Sequence, residues 1–204
     1  MRLRLYYGLA AILLFVIGCG LFKGEKKYLP LAVGNEWDYT MTTHNATYQN
    51  DTLVSDTTFT HHYTSKITGT DKTTGGVEVY VMISTFESTT DTTYLEERDD
   101  DIYSYSSLSD TNPILVLDHP LDDGKTWSSG GFTYEVIGSE DVSVKAGDFS
   151  CKKIKVTYSG VESYFWYAEG VGEVKYSYAD TSEVAPGTKL ITEVEEVLDD
   201  YTVK

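Results

Sequence analysis

Beyond Phe22, no stretch of this 204-residue chain sustains an apolar period of 3.6 residues. A chain that offers no amphipathic helical face has to build its core from strands. The apolar runs alternate with a period of two instead. Val77-Glu78-Val79-Tyr80-Val81-Met82-Ile83 does so, and Lys152 to Tyr158 puts Ile154, Val156 and Tyr158 on one face. Gly131 to Ile137 and Ser163 to Tyr167 read as further strands. The composition agrees: 26 Thr and 17 Tyr stand against 8 Ala, a bias toward side chains that suit a pleated surface. Turn residues punctuate the runs at Lys72 to Gly76, Ser128 to Gly131, Lys145 to Asp148, Glu169-Gly170 and Ala185-Pro186-Gly187. The last run, Lys189 to Leu198, has Glu, Leu and Val content that a helix could also use, but its Val and Thr content and its setting favour a closing strand. The expected fold is mainly β. It is a single antiparallel domain of about ten or more strands, in a strongly curved sheet or a two-layer, barrel-like form, preceded by a signal-peptide helix.

The first residues carry a different message. Arg2 and Arg4 form a positive n-region, and Leu5 to Ile17 is uncharged and mostly apolar. Val16-Ile17-Gly18-Cys19 then resembles a lipobox, with a small residue before a cysteine and aliphatic residues upstream. An uncleaved anchor is the competing reading. The uncharged stretch ends at Phe22, is interrupted by Gly8, Gly18 and Gly20, and falls short of the about 20 apolar residues of a span. The expected organisation is a lipoprotein signal over 1–18, an acylated Cys19 with a tether over 19–27, and a β domain over 28–204. Acyl chains on Cys19 would anchor the protein to a bacterial envelope membrane, at about 0.8 kcal/mol per buried CH₂. Gly20, in place of an aspartate after the cysteine, points to the outer membrane, at its periplasmic face or the cell surface.

The formal charge is −16, and losing Arg2 and Arg4 with the signal makes it −18. Such a chain lacks the basic face that nucleic acid requires. Once Cys19 is acylated, Cys151 is the remaining thiol, so no intramolecular disulfide can form. No His–Asp pairing signal accompanies Cys151, which reads as a buried structural thiol.

One motif recurs. Pro30-Leu31-x-x-Gly34-x-x-Trp37 returns as Pro120-Leu121-x-x-Gly124-x-x-Trp127, each copy ahead of a strand-like run. Glycine permits a turn, and tryptophan starts a strand by filling a core position. The spacing suggests two related halves, starting near residues 28 and 118.

Three longer segments add a resemblance. They are Tyr28 to Tyr39, Val142 to Phe149, and Tyr164 to Lys175 with its Tyr-Phe-Trp-Tyr-Ala-Glu-Gly-Val-Gly sequence. Together they resemble the TapB-like family of uncharacterised bacterial exported proteins and lipoproteins, a domain of unknown function. Lys145 stands where that family usually has proline, and the Thr/Asp-rich Asp51 to Asp101 departs most from it. The resemblance implies an antiparallel β fold and carries no catalytic residues.

Catalytic and metal motifs are missing from the sequence. There is no Gly-x-Ser-x-Gly, Walker loop, His-Glu-x-x-His or Cys-x-x-Cys. His61 and His62 are adjacent, so in a strand they point to opposite faces, and His44 and His119 lack ligand spacing. Asp99-Asp100-Asp101 and Asp118, Asp122 and Asp123 follow no calcium-loop pattern and read as solvated turns. The expectation is no enzyme, no cofactor and no metal. The remaining hint is aromatic: Tyr103, Tyr105, Tyr176 and Tyr178 are candidate ligand-contact residues, on a strip for a protein, glycan or apolar ligand. The expected role is non-catalytic binding or structure in the envelope. The competing reading is a hydrolase acting on glycan through a carboxylate pair.

Overall fold

The computed structural model describes residues 27–204; the signal segment, Cys19 and the tether up to residue 26 lie outside the described residues. Twelve strands make up the structure: β1 (Glu36–Gln49), β2 (Thr52–Lys72), β3 (Glu78–Phe86), β4 (Thr89–Arg98), β5 (Asp101–Tyr105), β6 (Ile114–Leu117), β7 (Thr126–Ser129), β8 (Phe132–Val144), β9 (Gly147–Tyr158), β10 (Val161–Ala168), β11 (Gly172–Ala185) and β12 (Thr188–Thr202). All five turn clusters marked in the sequence fall at junctions between strands, whereas the turns at Asn50-Asp51, Glu87-Ser88 and Ser159-Gly160 lie outside them. Cys151 lies within β9.

The strands form one antiparallel sheet in the order β6-β5-β4-β3-β2-β1-β12-β11-β10-β9-β8-β7. Two six-stranded meanders are thus joined where β1 pairs with β12, and the sheet curls until β6 meets β7. That seam carries no ladder. Side chains bridge it: the Leu115 N–H donates to Ser129 Oγ at 2.8 Å, and the Trp127 indole N–H donates to the Leu115 carbonyl at 3.1 Å. The result is a nearly closed barrel. Its wall is charged outward, as in Lys155–Glu135 and Lys153–Glu140, and apolar inward at Ile67, Ile154 and Leu198. A membrane-spanning barrel has the inverse pattern.

The recurring motif opens each meander with the same geometry. Gly34 and Gly124 take φ values of +93° and +82°, where a side chain would be strained. Their N–H groups donate to the next strand, Gly34 to Ile67 at 2.8 Å and Gly124 to Val136 at 2.7 Å. Ile67 and Val136 return the bond, each at 2.9 Å, to the residue after the glycine. Leu31, Leu121, Trp37 and Trp127 are all buried. Each indole N–H reaches a carbonyl on a distant element, Val171 for Trp37 at 2.6 Å and Leu115 for Trp127.

The middle four strands of the sheet overshoot the barrel. β2 pairs with β3 only from Tyr63 onward, and β11 pairs with β10 only as far as Tyr178. The far parts of β1, β2, β11 and β12 therefore project as a four-stranded flap, with both faces wet and Val54, Phe59 and Val184 exposed.

Candidate functional site

The barrel interior holds a cavity of about 280 Å³ that runs from Leu29 and Trp37 toward the flap. Nine of the strands contribute side chains, most of them in a definite register. Tyr39 of β1 pairs with Tyr63 of β2, Ser65 with Ser84 of β3, Leu95 of β4 with Ser104 of β5, and Tyr167 of β10 with Glu173 of β11. Paired residues share a face, so all of these side chains turn inward. Glu196 of β12 joins them. A vestibule of about 350 Å³ continues the cavity past Tyr63, Ser84 and Glu196 to Phe86, Thr89 and Asp91 at the β3–β4 hairpin. The interior thus opens at the flap end. Lys27, where the described chain begins, is bonded to Glu97 and to the Gly170 N–H at the opposite end.

Two carboxylic acids in this interior dominate its electrostatics. Burial pushes the Glu173 carboxyl well above its ordinary value, and the neighbouring Glu196 pushes it further. Burial also raises Glu196. Each acid has a phenol beside it, Tyr167 at Glu173 and Tyr63 at Glu196, whose hydrogen bonds oppose the rise only in part. Tyr39 stacks on Tyr63 at 5.1 Å and donates to the Glu173 backbone carbonyl at 3.1 Å. Glu173 is hemmed in by protein yet keeps accessible surface, because that surface faces the cavity. Two acids that cannot both ionise cheaply share protons as a unit. The arrangement can accept a positive charge, donate a proton or bind hydroxyl groups.

The four candidate tyrosines are not brought together. Tyr103 and Tyr105 lie on β5, Tyr176 and Tyr178 on β11, and five strands separate the two. On the outer wall, Tyr105 is buried and donates to Glu96 at 2.6 Å, while Arg98 grips Glu96 and lies 4.4 Å over the Tyr103 ring. Tyr176 and Tyr178 face inward at the barrel mouth beside Val156 and Phe132, and Tyr176 packs on Phe165 at 4.8 Å. Residue alternation identifies a face within one strand but not which strands adjoin. Glu173 and Glu196 went unnoticed in the sequence among 32 acids. For Glu196 a signal existed, since it has the same parity as the inward Val194 and Leu198.

The acidic turns bind to lysines. Lys125 Nζ meets Asp118 at 2.7 Å and Lys152 Nζ meets Asp123 at 2.6 Å, while Asp99 and Asp100 turn the chain at positive φ. His119 stacks against Tyr28 at 5.9 Å, and burial lowers its pKa. His44 sits between Asp56 and Glu193 on the flap's outer face, so its pKa is raised. Among the described residues, no group of three or more His, Cys, Asp or Glu side chains is arranged to hold a metal ion. Burial pushes the Cys151 thiol up to about 12.

No protein-family model and no curated protein matches the chain. Two solved structures are similar to it. One, assigned as an exported protein with YmcC-like fold from Bacteroides fragilis, is 13% identical, covers 87% of this chain and 100% of that chain, and has a TM-score of 0.46. The other, assigned as a lipoprotein from Parabacteroides distasonis, is 12% identical, covers 87% and 99%, and has a TM-score of 0.48. Neither likeness lends a residue role to this chain.

Proposed function

We propose that the protein is an envelope lipoprotein, anchored in the outer membrane through Cys19, that binds a small ligand inside its barrel without turning it over. The observation that carries this reading is the cavity itself. It is walled mainly by apolar side chains with two carboxylic acids set among them, and it reaches the surface through the vestibule. A tether of eight residues spans at most about 28 Å. It would hold the Lys27 end of the barrel near the membrane and leave the mouth and flap facing away.

The test is native mass spectrometry of the detergent-solubilised lipoprotein purified from its own envelope. A small molecule should co-purify with it and be lost from a Ser84→Phe variant, in which a ring fills the cavity. The same adduct on both proteins would refute interior binding.

The coupling of Glu173 with Glu196 supports a second reading, a hydrolase in which one acid keeps its proton while the other is ionised. Under that reading, envelope glycan is cleaved by the native protein and left intact by Glu196→Gln. Under the binding reading, neither protein cleaves it.

A further inference from the structure

We propose, building on the reading that the barrel interior holds a ligand, that this ligand is a small organic cation whose ammonium group sits between Glu173 and Glu196. Three carboxylates mark the way in: Asp91 in the vestibule, Glu196 where vestibule and cavity meet, and Glu173 on the inner wall. Among the described residues, no lysine, arginine or histidine lines either space. His61 occupies the next inward position of β2, but its ring lies 5.0 Å from Phe86 and its Nδ1 meets Glu87 at 3.2 Å. Buried charges in proteins are paired. Here the wall supplies acids and no counter-charge, so the complementary ligand brings the positive charge with it.

The rest of the lining fits the remainder of such a molecule. The rings of Tyr39, Tyr63, Tyr167 and Trp37 attract cations through their π faces and bury hydrocarbon. Ser65 and Ser84, which pair with one another at 2.8 Å, offer hydroxyl oxygens to further N–H groups. The volume of about 280 Å³ equals about nine waters at about 30 Å³ each, which sets the size to a comparable number of non-hydrogen atoms. Binding is also coupled to protons. Burial and mutual repulsion hold Glu173 and Glu196 toward their neutral forms, with Tyr39, Tyr63, Tyr167 and Tyr176 around them and no base. An ammonium group reverses that balance, so its uptake releases protons to solvent.

Cyclohexylammonium, cyclohexanol and cyclohexanecarboxylate share a carbon frame and differ in charge. Their binding to the full-length lipoprotein in neutral detergent can be measured calorimetrically, after subtracting uptake by the micelle alone. The ammonium should bind at least about tenfold tighter than the alcohol, the scale of one charge-assisted hydrogen bond. Its heat should vary with the buffer's ionisation enthalpy, and the carboxylate should bind weakest. The Glu173→Gln, Glu196→Gln double variant should bring ammonium down to the level of alcohol. Equal binding of ammonium and alcohol by the native protein overturns the cation while leaving an interior ligand site standing. Ammonium binding that survives the double substitution overturns it too, by placing the charge elsewhere. Failure of all three probes overturns both the cation and the interior site.

Discussion

Trp37 is the side chain on which most of the barrel's tether end depends. It is 2% exposed, and its indole N–H donates to the Val171 carbonyl at 2.6 Å, tying β1 to the β10–β11 turn across the barrel. Truncation to alanine removes a fully buried ring, which costs about 3–5 kcal/mol. It also strands a carbonyl beside the buried Val171, so the loss should fall in the upper part of that range. Trp37→Phe keeps much of the ring burial but not the hydrogen bond, and should lose about 1–3 kcal/mol. Trp127 holds the equivalent place in the second meander. It is 8% exposed, stacks on Tyr134 at 4.8 Å and bridges the seam, so Trp127→Ala should lose a similar amount. Urea unfolding followed by far-ultraviolet circular dichroism gives these values, provided the denaturant slope stays constant. A loss within about 0.5 kcal/mol for either alanine variant, the size of an ordinary surface substitution, would refute the claim that the recurring motif is a core device.

Gly172 packs against the same tryptophan. It has φ +117°, and an added Cβ would lie 3.0 Å from Trp37 Nε1, so Gly172→Ala should lose about 1–2 kcal/mol from backbone strain alone, read from the urea midpoint. The pH dependence has a definite sign. Glu173 and Glu196 hold their protons more tightly in the folded protein than in the unfolded chain, where a glutamate titrates near about 4.3. Their contribution to stability is therefore complete below that value and is lost as pH rises through the folded pKa values. Urea midpoints taken between acid and alkaline pH should show Glu173→Gln gaining on the native protein as pH rises; parallel curves would rule the linkage out. Cys151 is 1% exposed with its thiol pushed up to about 12, so a thiol reagent should label it only after denaturant is added. Cys19→Ser should abolish metabolic incorporation of a tagged fatty acid, and label retained on that variant would remove the anchor from the account.

What the sequence by itself determined is governed by neighbours along the chain. Period-two alternation and Val/Thr content marked five of the twelve strands, glycine and proline clusters marked five of the turns, and the two Pro-Leu-x-x-Gly-x-x-Trp copies marked where each meander opens. These are local matters of steric fit and of which face a side chain takes. The same local logic made Glu196 readable in principle, because it alternates in step with Val194 and Leu198. Only the tertiary structure decided the rest. β1 and β12 lie at opposite ends of the described chain and share a ladder, which converts two meanders into one barrel and makes an interior. Tyr105 and Tyr176 look alike in sequence, yet one is clamped to Glu96 on the outer wall and the other faces the mouth. Glu173 shows the physical reason most plainly. Trp166 pairs with Lys175 and Tyr167 with Glu173, so Val174 is an extra residue in β11. Counting by twos puts Glu173 beside Lys175 on the outer wall. The bulge shifts the register by one residue, which turns the acid to the opposite face and into the cavity.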